Sequence, residues 1–158
     1  MGFEPSPNGT YGAKQPGNTG IEGRVGRWLV RRARKPRKAG SRRGILALTT
    51  VGAKTGLERS NPVGYVVEGD TWIIWATAAG GKNNPAWYFN LAAHPDQVVI
   101  EVGGQRIPVT ATQLDPASAD AKITELAATS DPITRRRLTG YRAATDRAIP
   151  VIRLSRRS

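Results

Sequence analysis

The chain has 158 residues, is 39% hydrophobic, and carries 24 Lys and Arg against 12 Asp and Glu, a formal charge of +12. That length supports one domain with one core. The absence of cysteine excludes disulfides, zinc–thiolate sites and iron–sulfur clusters, and a single histidine, His94, excludes a histidine-rich metal site.

Residues 1–20 are rich in Pro, Gly, Asn and Ser and poor in core formers, a composition that predicts a disordered tail. The tail lacks the apolar segment of a secretory signal. No apolar run in the chain approaches the ~20 residues that a membrane span needs. The expected location is the cytoplasm, with the inner face of the cell membrane as a peripheral site.

Residues 21–43 read as a basic amphipathic helix followed by a linker. Ile21, Val25, Trp28 and Leu29 fall on one face of a helix over 21–35, with arginines on the others. "KPRKAGSRR" (35–43) is the linker. Ten of the chain's 24 basic residues lie between Arg24 and Arg43, with no acid among them, so the rest of the chain is close to neutral. Such a segment suits a polyanion: an anionic membrane surface, nucleic acid or a phosphorylated ligand. Of the helix's two uses, lying on a membrane surface or packing on its own domain, packing is the expected one, and a solvated arm is the plainer reading of the charge.

The folded domain spans 44–158. "GILALTTVG" (44–52) is a continuous apolar run and predicts a buried strand. "RSNPVGYVV" (59–67) and "TWIIWAT" (71–77) predict two more, joined by a tight turn at Glu68-Gly69-Asp70. "NPAWYFNLAAHP" (84–95) predicts a helix capped by Asn84, begun by Pro85 and ended at His94-Pro95, which makes His94 a structural residue. "DQVVIEV" and "QRIPVTATQL" predict a hairpin around Gly103-Gly104. "DPASADAKITELAATS" and "DPITRRRLTGYRAAT" predict capped helices, and "IPVIRLS" (149–155) a last strand. Six strands with helices inserted between hairpins describe an α+β fold, a split antiparallel β-barrel with flanking helices. A doubly wound sheet is excluded, because βαβ alternation and a G-x-G-x-x-G turn are missing.

The residues offer little acid–base machinery. No nucleophile has an evident base, and the acids fall in turns and caps, so any reaction would depend on a cofactor. Two loops have the donors to hold one. "TTVGAKTG" (49–56) gathers hydroxyls, glycine N–H groups and Lys54 in a turn suited to a phosphate or carboxylate. "ATAAGGKNNPAWY" follows a strand and opens a helix, whose N-terminus also favours an anion. Trp87 and Tyr88 are adjacent on that helix, so only one can face the core.

Taken together, "LALTTVGAKTGLERSNPVGY", "ATAAGGKNNPAWYFNLAAHPDQVVIEVGG" and "YRAATDRAIPVI" resemble the deazaflavin-dependent nitroreductase family of actinobacteria, over residues 44–155 in order and spacing. The resemblance implies a split barrel that binds the deazaflavin coenzyme F-420, a flat ring with an anionic phosphate and glutamate tail. It implies an oxidoreductase that moves a hydride from the reduced coenzyme to a quinone, a nitroaromatic or another electron-poor planar acceptor. By the same resemblance Gly52, Ala53, Lys54, Thr55 and Gly56 hold the tail, with Arg59, Asn61 and Pro62 near it. Ala76, Thr77, Ala78, Ala79 and Gly80 run along the ring, Lys82 adds a cation from the same loop, and Pro85, Ala86, Trp87 and Tyr88 close the pocket. Ala53 stands where the family carries Arg or Lys, and Ala78 where a Lys is common. Tyr141 is the one tyrosine on the helix before "TDR" and is the expected substrate-side hydroxyl. These departures favour a quinone over a nitroimidazole. Two alternatives remain: a non-catalytic barrel binding nucleic acid through the arginine-rich arm, which the lack of a surface array of aromatics disfavours, and a split barrel holding flavin mononucleotide or haem.

Overall fold

A computed structural model describes residues 2–13, 20–35 and 42–157. Six antiparallel strands close into a barrel in the order β1-β2-β3-β6-β5-β4. They are β1 (Arg43–Val51), β2 (Glu58–Glu68), β3 (Thr71–Trp75), β4 (Val98–Val102), β5 (Gln105–Gln113) and β6 (Val151–Arg156). Closure comes from β4 pairing back onto β1, with Leu48 opposite Ile100, which leaves no open sheet edge among the described strands. The helices are α1 (Gly20–Ala33), α2 (Ala86–Ala93), α3 (Pro116–Thr129) and α4 (Pro132–Ala144). The hairpin glycines Gly103 and Gly104 have φ of +59° and +84°, as the Gly-Gly turn predicts.

The continuous apolar runs have a simple cause. Along β1, Leu46 and Leu48 enter the barrel, while Ala47 points outward beneath Val30 and Ala33 of α1. Along β3, Trp72 and Ile74 point inward and Ile73 packs outward on Ala119 and Ile123 of α3. Both faces of these strands are buried, so the period-2 alternation of a half-exposed strand is lost.

Asp115 caps α3 through the Ser118 N–H at 2.9 Å, and Asp131 caps α4 through Ile133 and Thr134 at 3.0 Å. Glu68, at the end of β2, pairs with Lys122 of α3 and Arg153 of β6. The Lys122 hydrogen bond is the main reason its carboxyl sits below the usual range.

Three expectations need correction. First, α1 does pack on the barrel, but through Val30 and Ala33; Val25 and Trp28 are 50% and 49% exposed. Small Ala33 allows close approach to β1, whereas Trp28 turns outward with the Arg32 guanidinium 5.3 Å from its ring. The side chain of Ile21 and linker residues 36–41 lie outside the described residues. Second, Asn84 does not cap α2. Pro85 takes the cap position, and Asn84 is buried with its side chain engaged elsewhere.

Third, residues 2–13 are not a disordered tail but a strap across one end of the barrel; residues 14–19 lie outside the described residues. Phe3 N–H donates to Ala92 O at 2.9 Å, Ser6 N–H to the Tyr88 hydroxyl at 2.7 Å, and Ala13 N–H to Gly80 O at 2.9 Å. Composition predicts disorder because the strap buries little apolar surface. It is held instead by hydrogen bonds to the domain, which composition cannot register.

Candidate functional site

The turn between β1 and β2 is closed by its own backbone. Gly52 N–H donates to Leu57 O at 2.8 Å, and Gly56 N–H to Gly52 O at 2.9 Å. A Cβ at Gly52 would clash with the Thr55 hydroxyl, which accepts from Leu57 N–H at 3.2 Å. Asn90 then fastens the turn to α2. Its Oδ1 accepts from Ala53 N–H at 3.0 Å, and its Nδ2 donates to Thr50 Oγ1 at 3.1 Å.

Between this turn, the outward face of α2 and the strap lies a groove of about 710 Å³. Its walls include Gly52, Ala53, Lys54 and Thr55 of the turn, Arg59 of β2, Ala86, Phe89 and Asn90 on α2, and Phe3 and Pro5 on the strap. Among the described residues neither Lys54 nor Arg59 has an acidic partner. The groove therefore joins two uncompensated cations to an apolar, partly aromatic wall, with no carboxylate or histidine among its lining residues. Such a surface suits an anion joined to a flat apolar body, and it offers no side chain for acid–base or nucleophilic chemistry.

The second predicted loop is organised differently. After β3 the chain makes a tight turn at Ala78–Gly80, where Ala78 and Ala79 adopt φ of +46° and +52°. Left-handed alanines are strained and must be held by their surroundings. The holder is Arg147, 5% exposed. Its guanidinium donates to Ala76 O at 2.8 Å, Thr77 O at 2.6 Å, Gly81 O at 3.0 Å and Asn84 Oδ1 at 2.6 Å. Burial draws its pKa down, with Tyr88 acting the other way, yet a guanidinium stays cationic in a protein. Asn84 completes the knot, donating Nδ2 to Ser6 O at 2.9 Å and its N–H to Asn8 Oδ1 at 2.8 Å.

The two residues before Arg147 hold the strap. Asp146 accepts from Thr10 through both N–H (2.8 Å) and Oγ1 (2.6 Å), and Thr145 Oγ1 donates to Tyr11 O at 2.6 Å. The Thr10 hydroxyl, then its N–H, holds the Asp146 carboxyl below its ordinary pKa. The tripeptide Thr145-Asp146-Arg147 thus binds the strap on one side and the 76–84 loop on the other.

Of the sequence-predicted site, Gly52, Ala53, Lys54, Thr55 and Ala86 meet in the groove, and Gly56 closes the turn behind them. Asn61 and Pro62 are half-buried on β2, paired with Leu48 and Ala47. Ala76, Thr77, Ala78, Ala79 and Gly80 form the Arg147-held loop and do not line the groove. Lys82 is exposed on the same loop, and its carbonyl accepts from Gly9. Pro85 is the cap of α2, and Trp87 is half-buried against the core. Tyr88 is fully buried, with its hydroxyl hydrogen-bonded to Gln113, so it is a core residue and not a pocket wall. Tyr141 presents its backbone to Gly80 and is absent from the groove. The sequence reading missed Asn90, Phe89, Phe3 and Pro5. Asn90 left a signal, since an amide amid the apolar "WYFNLAA" implies a specific bond.

No described helix is long and apolar enough to cross a membrane, and no group of potential metal ligands occurs among the described residues. The family described as F420H(2)-dependent quinone reductase matches residues 24–155. An F420H(2)-dependent quinone reductase of Mycobacterium tuberculosis is 39% identical over 113 residues, covering 71% of this chain and 73% of that protein. A putative F420H(2)-dependent quinone reductase of Mycobacterium bovis matches to the same extent. Among solved structures, an F420-H2 dependent reductase superposes with a TM-score of 0.57 at 30% identity, covering 70% of this chain and 93% of that one.

Proposed function

The chain belongs to the F420H(2)-dependent quinone reductase family, and from that premise we propose that the groove between the β1–β2 turn and α2 is where it holds coenzyme F-420. The protein is an oxidoreductase that uses F420H(2) to reduce a quinone. When bound, the reduced coenzyme supplies a hydride. The observation that carries the site assignment is the pairing of two unpartnered cations, Lys54 and Arg59, with an apolar wall in one groove.

The donor set fits the coenzyme. Lys54 and Arg59 neutralise the phosphate and carboxylates of the tail, and Arg59 supplies the second cation that Ala53 does not. Asn90 keeps the turn in place, so the cations are presented without a large ordering cost. Phe89 and Ala86 offer apolar area to the ring and keep water from that face. Loop 76–84, held by Arg147, is a second built element with backbone donors, outside the lining of the groove. Its alignment with the ring, like a substrate-side role for Tyr141, is a further part of this proposal that rests on the family resemblance alone.

A fluorescence titration tests the assignment. Oxidised coenzyme F-420 should bind at micromolar concentration and flavin mononucleotide should not. The loaded enzyme should then oxidise F420H(2) with menadione and, more slowly, with a nitroaromatic acceptor. Binding of flavin mononucleotide alone would contradict the assignment.

The outer face of α1 supports a further reading, an anionic membrane surface as docking partner. Val25 and Trp28 are half exposed there beside the exposed Arg24, Arg27, Arg31 and Arg32, and quinones partition into bilayers. Each basic residue near an anionic surface contributes about 1 kcal/mol. Replacing Arg24, Arg27 and Arg31 by Gln should reduce co-sedimentation with phosphatidylserine-containing vesicles by about a hundredfold in affinity. Equal sedimentation of variant and wild type would rule the docking out.

A further inference from the structure

The strap is built to lie where it does. Gly2, Gly9 and Gly12 each occupy a place where a Cβ would come within 3.0 Å of the domain: of Ala92 O, of Asp146 Oδ1 and of Lys82 N respectively. Close approach, not turn geometry, accounts for these three glycines. With Asp146 and Thr145 holding Thr10 and Tyr11, and Ala92 O accepting from Phe3 N–H, the strap is attached at both ends.

Attachment brings Phe3 and Pro5 into the wall of the groove that also carries Lys54 and Arg59. The Phe3 ring packs on Tyr88, with centroids 6.1 Å apart and planes tilted by 45°. Its anchored side rests on a fully buried tyrosine, and it stays partly exposed towards the groove. Phe3 and Pro5 are the apolar residues that the strap contributes to the groove. A flat apolar molecule entering beside the coenzyme meets them, and their bulk limits its width.

We propose that the strap is part of the acceptor site and that Phe3 is the side chain that sets which quinone the groove admits. The inference rests on the groove being the coenzyme site. Phe3 does no chemistry. It contacts the acceptor ring, excludes water along that edge and narrows the opening. Removing it widens the opening while leaving Lys54 and Arg59 in place.

The test uses the full chain with Phe3→Ala and Phe3→Trp, F420H(2), and two acceptors of different width, 1,4-benzoquinone and menadione. Phe3→Ala should raise KM for menadione about tenfold with kcat nearly unchanged, the range expected for lost apolar contact. Phe3→Trp should lower kcat/KM for menadione about tenfold while sparing benzoquinone. The affinity for oxidised coenzyme should stay within about twofold in both variants. Hydrogen exchange over residues 2–13 reports whether the strap stays docked; Phe3→Trp keeps an aromatic anchor on Tyr88 and reads the wall alone if Phe3→Ala releases it. If the menadione-to-benzoquinone ratio of Phe3→Trp matches wild type while coenzyme affinity is normal, the acceptor role of Phe3 is overturned and the coenzyme site stands. If wild-type protein fails to bind the coenzyme, both readings are overturned together.

Discussion

Replacing Lys54 by Ala should weaken binding of oxidised coenzyme F-420 by about 1.5–3 kcal/mol, roughly ten- to a hundredfold in Kd, with no change in melting temperature. The two halves of this expectation have separate causes. Lys54 is exposed and has no acidic partner among the described residues, so folding does not depend on it. Its value lies in a charge-assisted bond to the tail, which forms only on binding. Exposure places the loss towards the lower end, because solvent screens the pair. Raising the salt should therefore weaken wild-type binding more than variant binding. Arg59→Ala should act in the same direction, and the double variant should depart from the sum of the two, since both cations line one groove and face one anionic tail. Fluorescence titration at two ionic strengths measures all of this; an unchanged Kd for Lys54→Ala would remove that residue from the site.

Arg147→Met should be strongly destabilising, lowering stability by at least about 3 kcal/mol and the melting temperature by about 6–12 °C. Four buried or half-buried acceptors lose their donor at once: three carbonyls and Asn84 Oδ1. Each unsatisfied acceptor costs about 1–3 kcal/mol, less where water can enter. The left-handed Ala78 and Ala79 lose the contacts that hold their strain. The effect should reach both partners of the Thr145-Asp146-Arg147 clamp, so hydrogen exchange should rise across residues 76–84 and across the strap. Arg147→Lys should recover only part of the loss, because an ammonium cannot reach four acceptors spread around a planar fork. Calorimetry and exchange report these effects; a Met variant that melts within about 2 °C of wild type would show that the loop is held by something other than the guanidinium.

The barrel was legible because its information is local. Turn glycines, Asp-Pro helix starts and apolar runs each predict their element, and the boundaries of β4, β5, α3 and α4 fall within a residue or two of expectation. The orientation of α1 was not legible. Periodicity gives the large apolar residues an inward face, but the contact with β1 is made through Val30 and Ala33, where small size matters more than hydrophobicity. The strap was invisible for a related reason. Its glycines look like those of a disordered tail, and only the opposing atoms show that they permit close contact. Arg147 gave no signal of burial, since its partners are carbonyls from distant segments and not a carboxylate that charge pairing would predict. The tail-binding turn was read correctly as a turn with a cation, whereas the wall formed by Phe89 and Phe3 depends on segments more than 80 residues apart in the chain meeting at one groove.

The central claim is that Lys54 and Arg59 recognise the charged tail of the coenzyme. The ratio of Kd for the bare deazaflavin ring, lacking phosphate and glutamates, to Kd for intact coenzyme F-420 tests it most directly, in wild type and in Lys54→Ala/Arg59→Ala. The account predicts that wild type prefers the intact coenzyme by about a hundredfold or more and that the double variant loses most of that preference. The same preference in both proteins would contradict it.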